Sequence, residues 1–290
     1  AQGAESPHPM MPLTPAGEAV WTLFIFLAGL CLGSFLNVCI WRIPREESLV
    51  WPGSHCPACR HPIAPWDNIP LLSWLVLAGR CRHCRAPISF RYFVVELLTG
   101  ALFTGLWLVH GWTIQTPVYC LYTGALLLGT FVDLDHLILP DRVTLGGMAA
   151  GLVLSAAFPA LQGQEDILSA LRESVLGLVV GYGILWLVAV VGRLVLRRDA
   201  MGLGDVKLLG AVGACLGWPA VLFTIFVSSL TGTLLGLGLI AARRKDLQSK
   251  IPYGPHLALG ATLWMFCGPA CVDWYLSLAS AAGRAATLAP

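Results

Sequence analysis

The sequence predicts an all-α polytopic membrane protein, with about eight transmembrane helices and one small zinc-stapled loop domain. Three observations lead there. Hydrophobic residues make up 57% of the 290-residue chain and charged residues only 12%, against roughly 25% charged in a soluble domain. Apolar runs near the ~20 residues that cross a bilayer recur along it. Basic residues gather in alternate connections, as the positive-inside rule requires.

Taken in order, residues 1–20 read as a proline-containing N-terminal arm, of which 1–6 add nothing to the fold. The first span, 21–41, has Trp at both ends for interfacial anchoring and carries Gly29, Gly33, Ser34 and Asn37, small and polar residues suited to close helix packing. A loop at 42–92 holds seven arginines and no spanning run. Further spans are expected at 93–112, 116–132, 143–158, 174–195, 206–216, 218–241 and 255–278, with a tight turn at Trp218-Pro219 and a short tail at 283–290. The arginine-rich loop, then Arg193, Arg197 and Arg198, then Arg243, Arg244, Lys245 and Lys250, fall on one side, whereas the opposite connections hold a single Arg172. That side should be cytoplasmic, with the N-terminus outside. Neither internal repeats nor low-complexity tracts are read.

Cys56-Pro-Ala-Cys59 and Cys81-Arg-His-Cys84 are two C-x-x-C pairs in the one long polar loop, a spacing that suits four thiolates around one Zn²⁺. Disulfides are disfavoured because the charge rule puts this loop in a reducing compartment. His55, His61 and His83 stand close by in sequence. Four cysteines complete a tetrahedron and leave no open position, so the metal is expected to staple a loop too small to build its own core. The other six cysteines lie within apolar runs and read as small hydrophobes.

Two acidic stretches share the cytoplasmic face. One is Phe131-Val-Asp-Leu-Asp-His-Leu-Ile-Leu-Pro-Asp141; the other is Asp199-Ala-Met-Gly-Leu-Gly-Asp-Val-Lys207. Two carboxylates close together in a low dielectric hold one proton between them, the working state of an aspartic protease. Membrane-embedded acids equally mark proton or cation pathways, so an ion-coupled transporter fits the residue types as well. Asp141 and Asp199 fit solvated loop acids. Gly202 and Gly204 would let an extended substrate approach Asp205, and Lys207, grouped with them as a substrate-binding residue, would tune that acid or anchor its helix end. No serine-hydrolase elbow, Walker loop or His-Glu-x-x-His signature occurs, and the basic loop lacks the interleaved aromatics of a nucleic-acid surface; anionic lipid accounts for it better.

These motifs together resemble the bifunctional type IV prepilin peptidases, leader peptidase and N-methyltransferase, within the Gly-x-Gly-Asp class of intramembrane aspartyl proteases. The resemblance runs from about Ala28 to near the C-terminus through Gly33-Ser-Phe-Leu-Asn-Val38 with Arg42 and Pro44, the paired-cysteine loop, Pro65-Trp-Asp-Asn-Ile-Pro70, Arg91-Tyr92 with Glu96, Asp133-Leu-Asp-His-x-x-x-Pro-Asp141, Met201-Gly-Leu-Gly-Asp-Val-Lys207 and Pro252-Tyr-Gly-Pro255. It implies that Asp133 and Asp205 are the catalytic pair in a protease domain at 93–282. It also implies that the substrates are type IV prepilins or pseudopilins, cut after a glycine on the cytoplasmic side of an inner membrane. A complete cysteine loop implies a second reaction, methylation of the new N-terminus from S-adenosylmethionine, seated on the first helix and the loop. Asn37, Glu46, Glu47 and Gly79 are candidates for that cofactor, and the segment between Arg42 and Cys56 is shorter than the family's. A non-catalytic, zinc-bearing component of a secretion machine is the remaining alternative.

Overall fold

The computed structural model describes residues 14–197, 201–242 and 252–287. Arg198, Asp199, Arg243, Arg244, Lys245, Lys250 and both chain ends lie outside them. The described residues form no strand; their α-helices are α1 (Pro15–Arg42), α2 (Leu72–Val76), α3 (Phe90–His110), α4 (Gln115–His136), α5 (Asp141–Ala157), α6 (Ile167–Leu196), α7 (Leu203–Ala241) and α8 (Gly254–Thr287). Six helices among the described residues are long and apolar enough to cross a membrane, which makes this a multi-pass membrane protein. The expected eight spans are not reproduced on that measure. α5 has only 17 residues, and the runs expected at 206–216 and 218–241 are the two arms of α7, which is broken at Gly217.

Two compact units divide the chain at Gly124–Ala125. In the first, Thr14 caps α1 by accepting from the Gly17 N–H at 3.2 Å, with Pro15 at the first helical position. α1 packs on α3 at backbone contact. A Cβ added to Gly29 would lie 2.8 Å from the Gly100 Cα, and one on Gly33 would lie 2.7 Å from the Glu96 Cα. Asn37 is buried there and its amide donates to the Tyr92 carbonyl at 3.1 Å. Small residues are what permit such an approach where no hydrophobic effect drives helices together.

In the second unit α6 begins at Asp166, whose carboxylate accepts from the Ser169 N–H at 2.7 Å. α6 and α7 approach so closely that a Cβ on Gly213 would collide with the Gly177 carbonyl. α7 is not straight. Gly217 has φ 81° and ψ 170°, a conformation open essentially to glycine alone. A Cβ on Gly181 would meet both the Leu209 backbone and Val221, residues that a straight helix would hold about 18 Å apart. The chain therefore doubles back at Gly217, one residue before the expected turn. Doubling back frees carbonyls that lipid cannot satisfy. The Gln162 amide donates to the Ala214 and Cys215 carbonyls at 3.2 Å, and the Ser174 hydroxyl to Ala214 at 2.6 Å.

Gly213→Ala should therefore destabilise the protein by about 1–3 kcal/mol, the usual cost of overpacking. The apparent melting temperature in detergent checks this; a value equal to that of the unaltered protein would contradict the contact.

Candidate active site and metal centre

α4 stops because Leu137 turns into the left-handed region (φ 55°), its N–H returning to the Asp133 carbonyl at 2.9 Å. This leaves Asp133 in the last helical turn, 6% exposed. Gly202 caps α7 and puts Asp205 in its first turn. The two carboxylates feel one another electrostatically and line one cavity of about 280 Å³ with Asp141, Gly202, Gly204 and Lys207. The two acidic stretches of the sequence are thus brought together.

Of the three acids in the first stretch, Asp133 and Asp141 reach this cavity and Asp135 does not. Asp141 is set apart from Asp133 by its own partner. Its side chain is 62% exposed and bonds to the Lys207 ammonium at 2.7 Å. The pair links the start of α7 to the start of α5.

One element of the site carried no role in the sequence reading. Gly254, the first residue of α8, donates its N–H to Asp133 Oδ2 at 3.0 Å, and a Cβ there would lie 2.8 Å from the same oxygen. α8 can present that N–H because its start is fixed on α7, by Tyr253 to Ser228 at 2.7 Å and by His256 to Thr231 at 3.0 Å. Pro252-Tyr-Gly-Pro255 was in view as a motif, but nothing local in it points to a carboxylate far off in sequence. Gly202 and Gly204 differ in their surroundings. A Cβ on Gly202 would lie 3.3 Å from Asp205 Oδ2, whereas one on Gly204 would press on Leu139 at 3.0 Å.

The four loop cysteines converge, their sulfurs all within 4.8 Å of one another. Cys56 and Cys84 are separated by 3.8 Å, Sγ to Sγ. A disulfide needs ~2.05 Å, whereas the edge of a tetrahedron with ~2.3 Å metal–sulfur bonds is about 3.8 Å. The donor set therefore fits a tetrahedral thiolate-bound metal ion. Each pair sits on a knuckle of the same build. Cys56 donates its N–H to His61 and accepts from Arg60, and Cys81 does so with Ala86 and Arg85. Arg60 (φ 57°) and Arg85 (φ 59°) are both left-handed. The sequence carries this as Cys-x-x-Cys-Arg-x-Pro-Ile at 56–63 and again at 81–88, so an internal repeat is present where none was read. N–H groups of Cys84 and His83 pull the Cys81 thiol down to about 7. Cys84 also accepts an N–H, from Ala86, but desolvation and the neighbouring thiols push it up to about 11.

Asp67 ties this region together, taking Arg82 in a bidentate pair at 2.6 and 2.7 Å that holds its carboxyl below the usual range. A carboxyl so lowered stabilises the fold above the unfolded value of ~3.9 and ceases to as pH falls through its folded value. Asp67→Asn should speed metal loss to a chelator only slightly at neutral pH, because the Arg82 side of the pair is largely exposed, and the difference should vanish in acid; a large effect persisting in acid would contradict the pairing.

The four cofactor candidates stand in different surroundings. Asn37 is committed to the Tyr92 carbonyl. Glu46 and Glu47 are exposed. Gly79 (φ 65°) makes room for Trp74, whose ring a Cβ would approach to 2.8 Å.

Comparison with known proteins matches residues 27–110 to the bacterial peptidase A24 N-terminal domain and residues 120–237 to the type IV leader peptidase family. A prepilin leader peptidase/N-methyltransferase of Aeromonas hydrophila is 40% identical over 285 residues, spanning 89% of this chain and 95% of the relative. Proteins of the same name from Myxococcus xanthus (40%; 88% and 75%) and Pseudomonas aeruginosa (35%; 93% and 99%) are also similar. No solved structure matches. With identity of this order over nearly the whole of several relatives, and both family models matched in order, the chain belongs to the type IV leader peptidase family.

Proposed function

We propose that this protein is a bacterial inner-membrane enzyme that removes the leader of type IV prepilins or pseudopilins by aspartic hydrolysis and then N-methylates the exposed terminus. The observation that carries the proteolytic half is the shared cavity of Asp133 and Asp205. With one proton between them, the ionised carboxylate takes a proton from water as it attacks the scissile carbonyl, while the protonated partner donates to the carbonyl oxygen. The tetrahedral adduct then expels the pilin amine, which leaves with a proton, and no acyl-enzyme forms. Gly254 orients Asp133, Lys207 and Asp141 hold the start of α7, and Gly202 leaves room beside Asp205 for an extended backbone. The basic loop and the arginines after α6 support a cytoplasmic position for this chemistry.

Cys56, Cys59, Cys81 and Cys84 hold a structural Zn²⁺ that closes the loop; with four thiolates it has no site for substrate. S-adenosylmethionine supplies an activated methyl group for the new amine. Incubating the purified protein with a prepilin and labelled S-adenosylmethionine, then weighing the pilin N-terminus, tests both reactions. Loss of the leader with gain of one methyl is expected. An uncut prepilin would overturn the proteolytic assignment, and cutting without methylation would overturn the second activity.

A further inference from the structure

The first unit commits two buried ionisable side chains to its loop backbone. Arg42, 7% exposed at the end of α1, donates to the carbonyls of Ser48 at 2.8 Å, Pro52 at 2.7 Å and Gly53 at 3.5 Å. Glu96, 8% exposed on α3, accepts the Leu71 N–H at 2.8 Å, with Leu71 in the left-handed region, and is hydrogen-bonded to Ser34 of α1. Burying a polar side chain is costly unless it is hydrogen-bonded. Here those bonds fix two separate loop segments, 48–53 and 70–71, each against the helices.

Between those segments and α1 lies a cavity of about 330 Å³, within the ~300–1,000 Å³ of small-molecule sites. Its lining is chemically mixed. Arg42 offers a cation that a ligand carboxylate can meet; Ser34, Ser54 and Asn68 offer hydroxyl and amide groups; Phe35 offers an aromatic ring. No aspartate or glutamate lines it, which disfavours a metal ion. A ligand with a carboxylate at one end, a polar sugar and a flat heteroaromatic ring answers each of these features.

We infer that this cavity, between α1 and loop segments 48–54 and 68–70, is the binding site for S-adenosylmethionine, with Arg42 at the carboxylate end and Phe35 beside the adenine. The inference rests on the methyltransferase reading above and locates it. Arg42 has a double task, holding the 48–53 wall and facing the ligand. Glu96 is a positioning residue that sets Ser34 and the opposite wall.

Gly53 supplies the test, because it lines the cavity and a Cβ there meets nothing within 4 Å. Gly53→Phe should fill the space without disturbing its neighbours. In the purified full-length protein, equilibrium binding of tritiated S-adenosylhomocysteine should weaken by about tenfold or more in Gly53→Phe, while zinc content and the rate of leader removal stay within about twofold of the parent. Should Gly53→Phe lose zinc, Ser54→Trp is read in its place against the same criteria. Parental affinity in a variant with native zinc content would overturn the location and leave the methylation reading intact. A parent protein that neither binds S-adenosylhomocysteine nor methylates pilin would overturn both.

Discussion

Asp133→Asn and Asp205→Asn are each expected to lower leader removal by roughly 10²–10⁴-fold or more, the share that a positioned acid or base supplies. Asn has nearly the shape of Asp, and at 133 its carbonyl oxygen can still accept the Gly254 N–H that bonds Oδ2 at 3.0 Å. The cavity should therefore survive while the ability to take and return a proton is lost. Either substitution removes one half of a pair that acts as a unit, so the double variant should be little worse than the singles. Asp141→Asn is the informative contrast. That residue lines the same cavity, yet it is largely exposed and committed to Lys207, so cleavage should fall only modestly through looser anchoring of α7. The assignment would be abandoned if Asp133→Asn or Asp205→Asn cut prepilin at a rate close to the parent's, or if Asp141→Asn proved as damaged as they are.

This contrast also marks what could be read before the structure. Apolar run length and basic asymmetry were enough to find the helices and to place two acidic stretches on one face, because both follow from what a bilayer accepts. Choosing among Asp133, Asp135 and Asp141 was beyond residue types. It depends on the rotational phase with which α4 ends, set by the single left-handed Leu137, and on a long-range partner, Lys207. The N–H that meets Asp133 comes from the start of α8, so no window of sequence around either residue contains the contact. The two segments expected around Trp218 were seen as separate spans because Trp-Pro signals a turn. The structure puts the reversal at Gly217 and supplies the reason it is tolerated, side chains from Gln162 and Ser174 covering the freed carbonyls. The knuckle repeat is legible in the sequence, contrary to the expectation of none. The cysteine spacing reports the metal, and Arg-x-Pro-Ile after each pair carries the shared backbone path. Arg42 and Glu96 stand in the sequence only as parts of motifs; their burial arises from packing.

Removal of the metal is the other change expected to have a large effect. A loop of ~50 residues has too little apolar surface to fold alone, whereas structural zinc contributes an apparent ~10–16 kcal/mol in small domains. In Cys56→Ser, or after chelation, the loop should lose its metal and become cleavable by trypsin at Arg60, Arg80, Arg82 and Arg85. Acid should act in the same direction, since protons compete with the metal for the thiolates. The two reactions should then part company. Both walls proposed to hold the methyl donor, 48–54 and 68–70, are loop segments adjoining the knuckles, so S-adenosylhomocysteine binding and methylation should be lost together. Asp133 and Asp205 stand on α4 and α7, within a unit that contains neither cysteine pair, so leader removal should persist in larger measure. A Cys56→Ser protein with a trypsin-resistant loop and parental methylation would show that the metal is dispensable. Equal loss of both reactions would show instead that the loop also serves the prepilin before it is cut.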